Sequence, residues 1–148
     1  MKTNYESLVD VVIRAEKEGK PRHELVLEIG PTPSLLVGLG VKPHRMVIKA
    51  KTVGKIFFDH CLTQRQIEKI PTMLNQPRAI FKSANPDTTN VVVLTFEFDQ
   101  GAPVIIPIAR DRQIGRGDVT NEVVSMYAKT GPDPVPGWLR GGLQLWSV

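Results

Sequence analysis

The sequence predicts an α+β domain in which N-terminal helices pack on a central antiparallel sheet of about four strands, two layers around one core. Three observations predict it. Apolar residues Leu8, Val11, Val12 and Ala15 recur at helical spacing near the N-terminus. Segments 78–83, 90–99 and 102–109 read as extended, the middle one rich in Val, Thr and Phe. The Asp99-Gln100-Gly101 turn is too short for a parallel crossover, so its flanking segments must form an antiparallel hairpin.

The first helix is expected over Tyr5 to Lys17, with Asn4 as N-cap and Gly19 as stop. His23 to Ile29 alternates polar and apolar residues, the pattern of a strand with one buried face. Pro33 opens a short helix, Ser34 to Leu39, which Gly40 closes, and Val41 to Ile48 reads as extended. Thr63 and Gln66 form a capping box, and Leu62 and Ile67 a hydrophobic staple, at the start of a helical stretch that Pro71 and Pro77 divide into short pieces.

Arg110 to Asp118 is polar and Gly-containing, an exposed loop by composition. Val119 to Lys129 admits strand or helix, with strand preferred. The Pro- and Gly-rich stretch 131–137 holds no regular ladder, and Leu143 to Trp146 alternates like a closing strand.

A chain of 148 residues supports one core, hence one domain spanning 1–148 with its first helix inside residues 1–20. Nineteen Lys and Arg against 15 Asp and Glu give a net charge of +4, compatible with a polyanionic partner. Cys61 is the only cysteine, which excludes an internal disulfide framework and any multi-cysteine metal site. Met1 to Glu6 holds no apolar leader core, and no apolar run approaches the roughly 20 residues of a membrane span. A cytoplasmic protein is expected, or one delivered into a target cell by other machinery. There are no GxxxxGK[ST], GxSxG or HExxH patterns and no carboxylate clusters, so the expected chemistry uses no metal and no cofactor.

His60 lies where the apolar Ile56-Phe57-Phe58 segment meets the capped helix, and such junctions bring side chains to clefts. Imidazole titrates near pH 6.5 and serves as acid or base at neutrality, although a structural histidine bonded to nearby backbone fits the same position. Lys49, Lys51 and Lys55 share one strand face if their segment is extended, forming either a phosphate-attracting rim or a solvated surface. Ser125, Tyr127 and Lys129 repeat the alternation if 119–129 is a strand, a row suited to holding phosphate; a helix would disperse them. Lys82, Ser83, Arg110, Arg112 and Arg116 add loop charge able to track a nucleic-acid backbone or merely to solubilise. Phe57, Phe58, Phe81, Phe96 and Phe98, with Trp138 and Trp146, read as packing residues, and His23 and His44 as surface or structural.

Three elements occur in order: Lys55-Ile56-Phe57-Phe58-Asp59-His60-Cys61-Leu62-Thr63, then Ile70-Pro71-Thr72-Met73-Leu74-Asn75-Gln76-Pro77, then Asn121 to Lys129. In this order, preceded by Leu27 to Pro33, the chain from Glu24 to its end resembles phage-associated nuclease-like domains of the barnase/EndoU/colicin/RelE superfamily. These occur at the C-terminus of Mu F-like head morphogenesis proteins and in polyvalent proteins of phages and mobile elements. The resemblance implies an α+β fold and, in active members, metal-independent RNA cleavage. Lys55 and His60 fall on the first element, and Asn121, Ser125, Tyr127 and Lys129 on the last.

The expected function is a metal-independent endoribonuclease, a toxin or phage effector. His60 acts as base on the ribose 2′-hydroxyl, Lys55 stabilises phosphate charge, Ser125 and Tyr127 position the phosphate, and a 2′,3′-cyclic phosphate results. Lys49, Lys51, Lys82, Arg110, Asn121 and Lys129 are the expected substrate contacts, RNA the partner, and an immunity or antitoxin protein a further one. Two rivals stand beside it: a silent nucleic-acid-binding module, and a phage or mobile-element factor that inhibits a host protein.

Overall fold

A computed structural model describes residues 1–148. The chain begins with α1 (Asn4–Lys17), capped by Thr3 and not by Asn4: the Thr3 hydroxyl oxygen accepts from Glu6 N–H at 3.1 Å, while Asn4 is already helical. The buried stripe of α1 is Tyr5, Val9, Val12 and Ile13, and Val11 faces outward. β1 (Val26–Pro31) starts three residues later than the alternation suggests and pairs antiparallel with β2 (Arg45–Lys49). Between them α2 (Ser34–Gly38) is stopped at Gly40, whose φ of 100° favours glycine.

The stretch holding Lys51, Lys55 and His60 is not extended. It forms α3 (Ala50–Phe58), in which Ala50, Val53, Gly54 and Ile56 are buried. Lys51 and Lys55 therefore stand one helical turn apart, because a spacing of four is a helix repeat that the alternation reading took for a strand face. Gly54 lets α1 approach: a Cβ there would lie 2.5 Å from Glu16 Oε1. The capping box of Thr63 and Gln66 opens α4 (Gln64–Glu68), and Pro71 sits in the first turn of α5 (Ile70–Asn75).

The strands that follow are β3 (Ala79–Lys82), β4 (Val91–Asp99), β5 (Ala102–Gln113), β6 (Val119–Val123), β7 (Tyr127–Ala128) and β8 (Gln144–Ser147), with α6 (Val135–Arg140) before the last. They build one 8-stranded sheet in the order β1-β2-β6-β5-β4-β3-β8, with β7 also on β5. The sheet has twice the expected strands and is mixed, since β2 pairs parallel to β6. The added strands are short or lie beyond the strong apolar runs. β5 continues through Arg110 to Gln113, where a loop was expected, because pairing with β6 resumes at Arg112 and Gln113 after a bulge at Arg110 and Asp111. Asp111 sits in that bulge at φ 54°. The β4–β5 hairpin forms as expected about the Asp99-Gln100-Gly101 turn, with its pairing interrupted between Leu94 and Phe98.

The five N-terminal helices pack on one face of the sheet around 25 buried residues. The other face carries a smaller cluster of Ala79, Phe81, Val92, Leu94 and Ile105, roofed by α6 with Trp138 at 4.9 Å from Phe81. Phe96 and Phe98 belong to neither core: they are 59% and 53% exposed at the hairpin tip, past the register shift after Leu94. Phe58 is also exposed, at the outward end of α3.

Candidate nucleic-acid interface

On β5, Ile105, Pro107 and Ala109 point to the second face, by the alternation that places Val104, Ile106 and Ile108 in the main core. Their partners across the ladder follow them. Tyr127 pairs with Ile105, and Glu122 pairs with both Ala109 and Val47. Between Val123, opposite Ile108, and Tyr127, opposite Ile105, the β6–β7 chain covers one residue more than β5 does. That bulge contains Ser125, turns Met126 into the main core, and delivers Tyr127 to the second face. Lys129 N–H donates to Pro103 O at 2.8 Å, which extends the pairing and puts the Lys129 side chain on the same face as Tyr127.

His60 reaches this strip from α3. The helix ends in a wide turn in which His60 N–H donates to Lys55 O at 3.0 Å and Leu62 N–H to Ile56 O at 3.3 Å. Cys61, at φ 57°, reverses the chain toward α4. The half-buried His60 ring then lies 5.6 Å from the Tyr127 ring, centre to centre, tilted by 38°. No side chain or backbone group of the protein hydrogen-bonds to the imidazole.

Two charged clusters lie along the strip. On one side, Glu122 is 4% exposed and lies 3.8 Å from both Lys49 Nζ and Arg112 Nε, each about half exposed, and its Oε1 has no hydrogen-bond partner. The buried carboxylate is thus neutralised by two cations that also reach solvent. Alternation along β6 predicts the face of Glu122, but nothing in the sequence marks it as a site residue, because Thr120, Asn121 and Glu122 are three polar residues in a row. On the other side, Lys129 and Arg78 line a groove of about 510 Å³, with Asp133 as the one acidic residue in its wall. Neither cation has an ion-pair partner.

The structure brings His60 and Tyr127 together, sets Lys129 on the same face as Tyr127 and Ser125 in the bulge, and places Lys49 further along the strip beside Glu122. It separates the others. The Lys51 and Lys55 side chains line a depression with Glu16 and His23, at the outward side of α3, and no ion pair or hydrogen bond joins the Lys55 ammonium to the His60 imidazole. Lys82 and Arg110 line a different cavity, on the helix-covered side of the sheet. Asn121 is fully buried: its Nδ2 donates to Thr32 Oγ1 at 2.9 Å and Lys42 O at 2.8 Å, and its Oδ1 accepts from Asp111 N–H at 3.2 Å. With its polar atoms occupied inside the fold, Asn121 is a structural residue and offers a ligand nothing. His44 pairs with Asp111 at 2.9 Å and His23 with Glu16 at 3.0 Å, consistent with structural roles. No helix is long and apolar enough to cross a membrane.

Residues 55–147 match the family model described as the phage MuF-C-terminal domain. The matched stretch starts at the last turn of α3 and includes the whole β5–β6–β7 strip. No curated protein and no solved structure matches the chain.

Proposed function

Because the chain belongs to the phage MuF-C-terminal domain family, we propose that it is a phage-derived, metal-independent endoribonuclease whose substrate lies along the β5–β6–β7 strip. The carrying observation is the approach of His60 to Tyr127, an imidazole and a phenol from distant parts of the chain set side by side and each partly exposed. In the proposed reaction the His60 imidazole accepts the proton of a ribose 2′-hydroxyl. The 2′-oxygen forms a bond to phosphorus and the bond to the 5′-oxygen breaks. The leaving 5′-oxygen takes a proton from water, the His60 imidazolium returns its proton to the hydroxide so formed, and the product carries a 2′,3′-cyclic phosphate. Tyr127 donates a hydrogen bond to the phosphate, with Ser125 beside it.

Lys129, on the same face as Tyr127, supplies positive charge beside the reacting phosphate in this reading, and Lys49 and Arg112 hold the nucleic-acid backbone further along the strip. Such a strip neutralises backbone phosphates without reading bases, so binding weakens steeply with salt.

A second reading, a module that holds RNA without cutting it, is favoured by one observation: no partner fixes the tautomer of the His60 ring, as a dedicated base commonly has. One experiment separates the two. Purified wild type and His60→Ala are incubated with total RNA in EDTA, and the new 3′ ends are analysed. Cyclic-phosphate ends from wild type, reduced by about 10²-fold or more in His60→Ala, are expected. Equal cleavage by both proteins would remove His60 from the mechanism. Intact RNA with salt-sensitive binding would support the second reading.

A further inference from the structure

On the helix-covered side of the sheet, away from the strip, the β3–β4 connection, the end of α2, β5 and β8 enclose a cavity of about 400 Å³. That volume falls within the roughly 300–1,000 Å³ of small-molecule sites. Two cations line it, Lys82 and Arg110, and no acidic side chain does. Neither cation takes part in any ion pair of the protein. Arg110 is anchored by donating from Nη2 to Gly40 O, yet its buried Nε–H has no acceptor. A buried donor without a partner is uncommon in a finished fold.

The polar side chains of the β3–β4 connection sharpen the chemistry. Ser83 Oγ accepts from Asn85 N–H at 3.1 Å, Asn85 Oδ1 from Asp87 N–H at 3.0 Å, and Thr88 Oγ1 from Asn90 N–H at 3.1 Å. Each therefore uses an acceptor on backbone and keeps its own donor, a hydroxyl or an amide NH2, without an acceptor in the protein. All three residues line the cavity. The wall thus presents cations and free donors together, a surface that wants an anion with several acceptor oxygens. The floor is different: Leu39, Val91, Leu143 and Leu145 are apolar.

We propose that this cavity binds a small phosphomonoester that carries an apolar or aromatic body. A phosphomonoester bears a charge of about −1.5 to −2 at neutral pH and three terminal acceptor oxygens, which suits two cations and several neutral donors better than a singly charged carboxylate. The apolar floor takes the organic part. The site is independent of the proposed ribonuclease strip, because Leu39, Val91 and Leu145 pack with the main core on the opposite face.

Isothermal titration calorimetry with 5′-AMP and adenosine tests it, using wild type, Lys82→Glu and, as a charge-matched control on α3, Lys51→Glu. Lys82 and Lys51 are both exposed, so the variants fold, and thermal melts verify this. The expected result is submillimolar binding of AMP by wild type and Lys51→Glu, with adenosine at least tenfold weaker and Lys82→Glu at least tenfold weaker for AMP. The proposal is overturned by no AMP binding up to 10 mM, by adenosine binding as tightly as AMP, or by Lys82→Glu matching Lys51→Glu. None of these readouts involves RNA cleavage, so the result stands whichever way the ribonuclease assay falls.

Discussion

The imidazole of His60 and the phenol ring of Tyr127 lie 5.6 Å apart, and this contact ties the end of α3 to the short strand β7. Each ring restricts the rotamers of the other, so the contact can be separated from the chemistry of the Tyr127 hydroxyl. Tyr127→Phe retains the ring and removes the hydroxyl. Its stability should stay within about 0.5 kcal/mol of wild type, as for a substitution that leaves packing intact. RNA cleavage should fall by roughly 10²-fold, the scale of one lost transition-state donor. Initial rates and urea melts measure both, and wild-type rates in Tyr127→Phe would exclude the hydroxyl from the site.

Glu122 is 4% exposed between Lys49 and Arg112, each at 3.8 Å. Removing one cation leaves the other in place, whereas removing both leaves a buried carboxylate uncompensated. Lys49→Met and Arg112→Met should therefore each cost about 1 kcal/mol or less, like other half-exposed pairs. The double variant should lose about 3 kcal/mol, more than the sum. Urea unfolding of the three proteins tests it. Additive losses would mean that Glu122 reaches water once its neighbours are shortened.

The parts of the fold that were legible in the sequence are those governed by local signals. The Thr63–Gln66 capping box, the stop at Gly40, the short helices around Pro71 and the β4–β5 hairpin each depend on residues a few positions apart. The sheet's size was not legible, because β1, β2 and β8 are short and their pairing is long-range. The lysines of α3 were misplaced for a related reason: Lys49, Lys51 and Lys55 fit a strand face until the buried Ala50, Val53 and Ile56 are weighed against them. Of the candidate site, His60 and Tyr127 were found separately, by residue chemistry and by alternation. Their proximity depends on the bulge at 124–126 and on the wide end of α3, and neither has a sequence signature. Asn121 looked like a ligand contact because a buried amide and an exposed one are the same letter.

Tyr5 links α1 to α4 through a hydrogen bond from its hydroxyl to Ile67 O at 2.8 Å. Burial, with a smaller contribution from Glu68, pushes its phenol far above the ordinary 10.0. The sign follows directly. Above pH 10 the unfolded chain loses this proton while the folded chain keeps it, so the unfolded state gains and stability falls as pH rises. Below pH 10 the contribution is fully present. Tyr5→Phe should cost about 1 kcal/mol at neutral pH, the lost hydrogen bond, and should show a shallower decline in melting temperature between pH 9 and 11.5 than wild type. Parallel declines in the two proteins would show that Tyr5 ionises without opening the fold.

Asn121 joins three segments where the ladders are interrupted or end: the end of β1 through Thr32, the α2–β2 connection through Lys42 O, and the β5 bulge through Asp111 N–H. Asp111 is left-handed at φ 54°, a conformation that aspartate tolerates better than most residues and that the bond to Asn121 Oδ1 holds in place. Truncation to alanine strips buried groups of their partners at three places, and the cost should be about 3 kcal/mol, the upper part of the range for a lost buried hydrogen-bond network. The effect on RNA should differ in kind from that of His60→Ala. Asn121→Ala should lower the urea midpoint and the amount of folded protein, while cleavage per folded molecule stays near wild type, because the residue meets no solvent. A variant that melts like wild type yet cleaves slowly would return Asn121 to the substrate contacts and would require the strip to open onto the Thr32 side of β6.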